Sequence, residues 1–213
     1  MDWFAHIDGY CERTDFSYWS EPLNAVTNAA FIIAAVIMWR RTQGLPAARL
    51  LCGILFCIGA GSFLFHTHAT VWAALTDVVP IGIFILTYLF LVNRDIVGVP
   101  GWVALGATSL FAPYAYGVVA VLNTIPFFAI SNFYWTVPIL LIVYATFVRG
   151  SVALGFVIGA VILSISIALR SVDEIWCDAF PIGTHIFWHL LNGLMLGWMI
   201  EVYRRHMLAT RAV

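Results

Sequence analysis

Charged side chains are scarce in this sequence of 213 residues. They make up 10% of the chain, whereas roughly 25% is usual in soluble domains, which must cover their surface with polar groups. Lysine is absent, so arginine supplies all ten basic residues, and the net charge of −1 gives no reason to expect a nucleic-acid partner. Because 62% of the residues are hydrophobic, the composition excludes an ordinary soluble globule and predicts a chain whose surface faces lipid.

The apolar residues are grouped into segments long enough to cross a bilayer, which takes about 20 residues of helix. The segments lie at 24–40, 48–65, 71–92, 101–121, 132–148, 151–169 and 183–203. The expected fold is therefore an all-α membrane protein, a bundle of seven transmembrane helices. The uncharged connection around 123–132 leaves a count of six or eight spans open.

The arginines are distributed unevenly between the two ends of these segments. With seven spans, eight of them fall on the side of the carboxyl terminus, and only Arg13 and Arg170 fall on the other side. Short loops rich in basic residues stay in the cytoplasm, so we expect the amino terminus outside and the carboxyl terminus in the cytoplasm. The chain then divides into an acidic extracytoplasmic segment at 1–22, a transmembrane domain at 23–204 and a cytoplasmic tail at 205–213.

Two of the four cysteines, Cys11 and Cys177, fall in the predicted extracytoplasmic segments. Disulfides can persist in that compartment, but two free thiols would give the same pattern in the sequence. Position alone therefore leaves a Cys11–Cys177 bridge and a pair of thiols equally open.

A few polar residues interrupt the apolar segments, where ionisable groups are costly and often functional. His66 ends the second segment, and Ser62 lies one turn deeper on the same helix face. Asp77 is near the start of the third segment, while His185 and His189 open the seventh and project from one face. The topology that the arginines predict brings all five to the outer side. Three neutral imidazoles with an open fourth position are typical of hydrolytic zinc sites, so we predict a zinc ion there.

The two other polar residues suit hydrolysis, because Asp77 could take a proton from a water molecule and Ser62 could donate a hydrogen bond to a developing oxyanion. Each also has a simpler interpretation. Asp77 could form an ion pair with Arg170, and Ser62 could bond to the backbone of its own helix. The histidine pair of the seventh segment could serve interhelical hydrogen bonding alone.

Several short motifs extend this pattern over most of the chain, from about Asp8 to His189. They are Cys11-Glu12, Glu21-Pro22-Leu23-Asn24 with Thr27-Asn28, Gly61-Ser62-x3-His66, Asp77, and Cys177-Asp178 leading to Pro181-x-Gly183-Thr184-His185-x2-Trp188-His189. Together they resemble the alkaline ceramidases, and the closing motif is the most specific part. That family belongs to a superfamily of seven-span membrane hydrolases with adiponectin-receptor-like and GPI-lipid remodelling proteins. The compact loops look like those of a bacterial member.

The resemblance implies an intramembrane amidase that cleaves ceramide to a sphingoid base and a free fatty acid by attack of a zinc-activated water. The family's zinc ligands correspond to His66, His185 and His189, and its two catalytic polar positions correspond to Ser62 and Asp77. The implied partners are a ceramide-like lipid and the bilayer, with no obligate protein partner. The implied location is the inner (plasma) membrane of a bacterium, with the active site at the extracytoplasmic side.

The resemblance also implies a Cys11–Cys177 disulfide and a calcium ion near the zinc. The candidate calcium ligands are Asp8, Tyr10, Glu12, Thr14 and Glu21, and oxygen ligands suit calcium. The segment departs from the family's pattern, because Asp8 is displaced by one residue and Thr14 stands where the family has asparagine. The alternative is a solvated acidic face that caps the bundle, with Arg13 paired to it.

Two other functions fit the same residues. A related lipid hydrolase could use this site on a non-ceramide amide or an ester. A seven-span receptor could instead use the zinc only to hold its helices together. Substrate assays separate the first from a ceramidase, and the need for Asp77 separates the second.

Overall fold

The computed structural model describes residues 2–211, and this part of the chain is mainly helical and contains no β-strand. Its α-helices are α1 (Pro22–Thr27), α2 (Ala29–Arg41), α3 (Pro46–His68), α4 (Val71–Leu91), α5 (Gly101–Ser109), α6 (Phe111–Leu122), α7 (Pro126–Ala129), α8 (Asn132–Phe147), α9 (Gly150–Ser171) and α10 (His185–Arg211). A π-helical turn at Val92–Val97 extends α4, and a 3₁₀ turn at Glu174–Trp176 precedes α10. The predicted all-α fold class is confirmed.

The helices coincide closely with the seven predicted segments. The first segment is the pair α1 and α2, which meet at Asn28, and the fourth is the pair α5 and α6, which meet at Leu110. The uncertain connection contains the four-residue helix α7, which Pro126 begins. Proline suits the first turn of a helix, where its missing N–H is not needed, so Pro126 starts a short helix instead of kinking a long one.

Five helical stretches of the described residues are long and apolar enough to cross a membrane. They are Pro22–Arg41, Pro46–His68, Val71–Val97, Gly101–Leu122 and Gly150–Ser171. Helix α8 is apolar but has 16 residues. Helix α10 has 27 residues, but the histidines at its start and the charged residues near its end make it less apolar. The five stretches indicate an integral membrane protein, and a count of seven depends on α8 and α10 crossing as well.

The long helices form a ring in chain order. Helix α3 packs between α2 and α4, α9 packs between α8 and α10, and α10 closes the ring against α2. Contacts of α5 with α4 and of α6 with α8 complete the other side. The ring therefore brings the end of α3, the start of α4 and the start of α10 together at one end of the bundle.

Both the interior and the exterior of the bundle are apolar. Leu51, Phe156 and Ile200 belong to the buried core, whereas Leu154 and Leu194 are more than half exposed on the outer surface. Soluble monomers rarely expose large contiguous apolar surfaces. The exterior is therefore suited to contact with lipid chains.

The amino-terminal segment covers the end of the bundle where α3 ends and α10 begins. The N–H of Ile7 donates to the carbonyl of Ala69 at 2.8 Å. A disulfide joins Cys11 to Cys177, in the connection between α9 and α10. These links fasten residues 2–21 over this end as an ordered cap.

At the opposite end of the bundle, α10 makes polar contacts with α2 and with the turn that extends α4. Arg41 forms an ion pair with Glu201 at 2.9 Å, and the hydroxyl of Tyr203 donates to the Asp95 carboxylate at 2.5 Å. The carboxyl end of α10 is therefore held against the end of α2 and the turn that extends α4, where several of the arginines lie.

Candidate functional site

Three buried histidines meet at the capped end of the bundle. His66 lies in the last turn of α3, and His185 and His189 lie in the first turns of α10. One ring nitrogen from each histidine lies within 4.8 Å of those from the other two. Among residues 2–211, these histidines are the one group of three or more His, Cys, Asp or Glu side chains that could hold a metal ion.

Glu21 orients the ring of His66. Its Oε2 atom lies 2.6 Å from Nδ1 of His66. An ionised carboxylate can only accept hydrogen bonds, so Nδ1 carries the ring proton and Nε2 keeps a lone pair. Glu21 therefore selects the tautomer that a metal ligand needs, as carboxylates do for many ligating histidines.

A hydroxyl group gives His189 the same tautomer. Thr27 Oγ1 lies 2.8 Å from Nδ1 of His189, and it donates its own proton to the carbonyl of Leu23 at 2.7 Å. A hydroxyl that donates its proton in this way is placed to accept the Nδ1 proton, and that arrangement leaves the lone pair of His189 on Nε2.

The start of α10 fixes the position of His185. Asp173 is almost fully buried, and it accepts hydrogen bonds from the N–H groups of Thr184 at 2.5 Å, His185 at 2.8 Å and Cys11 at 3.0 Å. The free N–H groups of a helix start need acceptors, and a negative charge is favourable there. The Tyr10 ring stacks on the His185 ring with a centroid separation of 3.8 Å, so His185 is enclosed by the amino-terminal cap.

Three ring nitrogens of the cluster have no hydrogen-bond partner among the described residues. They are Nε2 of His66, Nδ1 of His185 and Nε2 of His189, and all are buried. A buried polar atom without a partner costs about 1–3 kcal/mol, and a bound cation would remove that cost. Imidazole nitrogens suit zinc, and three protein ligands leave one position of a tetrahedral ion for water or substrate. The donor set therefore fits a zinc ion.

Ser62 and Asp77 meet where α3 crosses α4. The two backbones approach closely because residue 61 is glycine, and a Cβ atom on Gly61 would overlap the carbonyl oxygen of Thr76. The Asp77 carboxyl lies beside the Ser62 hydroxyl and is close enough to the His66 side chain for an electrostatic interaction. The structure therefore brings both candidate catalytic side chains to the histidine cluster.

Arg170 does not form the ion pair with Asp77 that the sequence left open, and no other carboxylate pairs with it within residues 2–211. Its guanidinium group donates to Ser131 Oγ at 2.9 Å. It also lies over the rings of Tyr134 and Trp188, 5.2 and 5.6 Å from their centroids. Arg170 is therefore a neighbour of the cluster whose charge is accommodated by aromatic rings.

The candidate calcium ligands occupy different environments. Asp8 and Thr14 are exposed, and burial raises the pKa of the Tyr10 phenol, which stays neutral. Both carboxylate oxygens of Glu12 accept hydrogen bonds, at 2.7 and 2.8 Å, from backbone N–H groups in the first turn of α1. Glu12 therefore caps α1, while Glu21 points to the histidine cluster.

Arg13 is buried beside Glu21. Its Nε atom donates to Oε1 of Glu21 at 2.5 Å. Burial opposes ionisation of Glu21, but hydrogen bonds from His66 and Asn24 and the charge of Arg13 outweigh it, so the pKa of Glu21 lies below its usual range. Arg13 thus pairs with the acidic segment, as the alternative interpretation held, but the pair is buried and not solvated.

The sequence did not identify Asp173 and Thr27, which hold His185 and His189 in place through hydrogen bonds. Asp173 was only one of several acidic residues in a loop, and Thr27 was only part of a motif. Each contacts a partner 162 positions away in the chain, and no local pattern reveals such a pairing. The polar pair Thr27-Asn28 inside an apolar segment is the one feature of the sequence that could have identified Thr27.

These features define a class of protein, a helical integral membrane protein with a buried three-histidine centre under a disulfide-linked cap. A family model described as Ceramidase matches residues 5–211, nearly the whole chain. The chain therefore belongs to the ceramidase family, which supports a hydrolase that acts on the amide bond of ceramide. The resemblance found in the sequence is confirmed. Comparison with curated proteins gives no significant match.

Proposed function

We propose that this protein is an intramembrane, zinc-dependent amidase that cleaves ceramide into a sphingoid base and a free fatty acid. One observation carries the proposal. Three imidazoles with unpartnered nitrogens converge beside Ser62 and Asp77 in a member of the ceramidase family. The metal ligands, a proton acceptor and a hydrogen-bond donor are then within one small site.

In this proposal His66, His185 and His189 hold the zinc ion. Zinc would supply a Lewis acid that lowers the pKa of a water molecule towards neutrality. Asp77 takes the proton of the attacking water and passes it to the leaving nitrogen of the amide. Ser62 donates a hydrogen bond to the amide oxygen, where negative charge develops.

An apolar pocket next to the histidine cluster supports a lipid substrate. It lies between α4, α8, α9 and α10, and Phe84, Trp188 and Met195 are among its lining residues. Along α10 it extends from Trp188 to Met199, which is about 16 Å at roughly 1.5 Å per residue. Tyr88 also lines the pocket and donates a hydrogen bond to the carbonyl of Met199 at 3.0 Å. Such a pocket suits an acyl chain whose amide group lies at the cluster.

The proposal includes seven spans, with the amino terminus outside the cytoplasm and the histidine cluster at the extracytoplasmic side. Support comes from the arginines, because Arg41, Arg204 and Arg205 surround Glu201 at the end of the bundle opposite the cluster. Basic loops favour the cytoplasm. A bacterial inner membrane as the location stays a prediction.

Zinc is the one cofactor in the proposal. The calcium ion that the resemblance implies on the amino-terminal segment is not part of it. Its carboxylate ligands would be Asp8, Glu12 and Glu21. Asp8 is exposed, Glu12 caps α1, and Glu21 binds both His66 and Arg13.

Replacement of Asp77 by asparagine tests the proposed chemistry. Zinc content and fatty-acid release from ceramide are measured on purified wild-type protein, Asp77→Asn and the exposed control Asp178→Asn. We expect the Asp77 variant to keep its zinc and to lose hydrolysis by at least about 100-fold, the usual contribution of a general acid or base. The control should match the wild type.

Three other outcomes would replace the proposal. Unchanged hydrolysis by Asp77→Asn would remove Asp77 from the reaction. Zinc-loaded wild-type protein that hydrolyses esters or other amides but not ceramide would be a related lipid hydrolase. Zinc-loaded protein without activity on any of these lipids would favour a zinc ion that only holds the helices together.

A further inference from the structure

The proposed reaction gives no role to the buried guanidinium group of Arg13. Its side chain is 1% exposed, although the segment that contains it lies at the surface of the bundle. All three guanidinium nitrogens have acceptors. Nε donates to Glu21 at 2.5 Å, and the other two donate to the backbone carbonyls of Asp15 at 3.0 Å and His66 at 2.9 Å. A buried charge is tolerated only when it is paired and hydrogen-bonded, so Arg13 occupies a site shaped for a cation.

Two of these acceptors belong to the candidate metal centre. Glu21 contacts Arg13 through Oε1 and the His66 ring through Oε2. Arg13 also bonds directly to the backbone carbonyl of His66. One guanidinium group therefore contacts the backbone of a metal ligand and, through Glu21, its ring.

We propose that Arg13 is a positioning residue of the metal centre, an internal cation that fixes Glu21 and His66 without a calcium ion on the amino-terminal segment. The inference rests on the proposed zinc site but not on the identity of the substrate. The guanidinium group holds the Glu21 carboxylate in place. That carboxylate keeps the proton of His66 on Nδ1, and Nε2 is left free to bind metal.

Calcium and Arg13 compete for the same carboxylate in this arrangement. A calcium ion bound to Glu21 would lie close to the guanidinium group, and like charges repel strongly where water is excluded. Oε2 of Glu21 is already shared by His66 and Asn24. The positive charge beside Glu21 is therefore supplied by the Arg13 side chain in place of a calcium ion.

The test compares full-length wild-type protein with Arg13→Gln, Arg13→Lys and Arg41→Gln. Arg41 is the matched control, because it also pairs with a glutamate but lies at the opposite end of the bundle. Zinc affinity is measured by competition with a chelator at a temperature where thermal unfolding shows each variant to be folded. Calcium content and the effect of added calcium on zinc affinity are measured on the wild type.

We expect Arg13→Gln to bind zinc about 10- to 100-fold more weakly, the usual effect of losing a group that orients a metal ligand. Arg13→Lys keeps the charge but not the planar fork, so it should fall between the glutamine variant and the wild type. Arg41→Gln should bind zinc like the wild type. The wild type should contain no calcium, and its zinc affinity should not respond to added calcium.

The inference is overturned if folded Arg13→Gln binds zinc with wild-type affinity, since Arg13 would then only stabilise the cap. It is also overturned if the wild type contains stoichiometric calcium or needs calcium to bind zinc. If Arg13→Gln does not fold, Arg13→Lys carries the zinc comparison, and the calcium measurements still test whether the cap works without that ion. Wild-type protein that binds no zinc would instead contradict the proposed function, so the two failures are distinguishable.

Discussion

The hydroxyl oxygen of Thr27 lies 2.8 Å from Nδ1 of His189, although the two residues are separated by 162 positions in the sequence. Thr27 lies at the end of α1, and His189 lies in α10. This contact joins the first helix of the chain to the last at the candidate metal centre. It also fixes which nitrogen of His189 is free to bind a metal ion.

Thr27→Val should weaken zinc binding while leaving the fold intact. Valine has nearly the same shape but no hydrogen-bond acceptor. The Nδ1 proton of His189 then loses its partner, and the tautomer protonated at Nδ1 is no longer favoured. Loss of such a contact typically costs about 10- to 100-fold in metal affinity. Thr27→Ser keeps the hydroxyl and should bind zinc like the wild type. Equal zinc affinities for the valine and serine variants would exclude this role for Thr27.

Asp173→Ala should destabilise the protein, because three backbone N–H groups would lose a buried charged acceptor. The expected loss in the free energy of unfolding is roughly 2–4 kcal/mol, observed as a lower unfolding temperature in detergent. Asp178 is a matched control, since it lies in the same connection but is exposed. If Asp178→Ala lowers the unfolding temperature as much as Asp173→Ala does, the buried hydrogen bonds are not the cause.

Gly61→Ala should disrupt both the fold and the catalytic pair. The new Cβ would overlap a backbone carbonyl of α4, which cannot rotate away as a side chain could. The helices must therefore separate, at a cost of roughly 1–3 kcal/mol, and Ser62 would move relative to Asp77. Gly53→Ala in the same helix is the control, since its Cβ would meet nothing within 4 Å. Wild-type rates of ceramide hydrolysis for Gly61→Ala would argue that this close approach is unimportant.

Met195→Phe should shift the enzyme towards ceramides with shorter acyl chains. Met195 lines the apolar pocket, and a bulkier side chain would shorten the space available to a chain. We expect kcat/KM for long chains relative to short ones to fall by about tenfold, a typical effect of small changes in an apolar pocket. Leu194→Phe changes the neighbouring residue, which is 58% exposed on the outer surface, and should leave the ratio unchanged. An unaltered chain-length profile in both variants would place the acyl chain elsewhere.

The sequence predicted the helical segments and the members of the histidine cluster because both follow from local chemistry. A membrane span is recognisable from its own composition, and arginine counts indicate which ends lie together. His66 and His185 could therefore be assigned to one end of the bundle without any knowledge of the packing.

The supporting contacts could not be predicted in this way. The sequence offers Arg13 as a partner of a solvated acidic face, yet its side chain is buried because Glu21 and two carbonyl groups surround it. Asp173 accepts bonds from both the start of α10 and the cap, and that position depends on the tertiary structure. Such contacts depend on how distant segments meet, and the order of residues within one segment does not contain that information.

Zinc content measured together with ceramide hydrolysis tests the central claim most directly. Purified wild-type protein should contain about one zinc ion per chain and release fatty acid from ceramide. Separate alanine variants of His66, His185 and His189 should lose both properties while staying folded. Wild-type protein that hydrolyses ceramide at full rate without zinc, or histidine variants that keep both zinc and activity, would contradict the account.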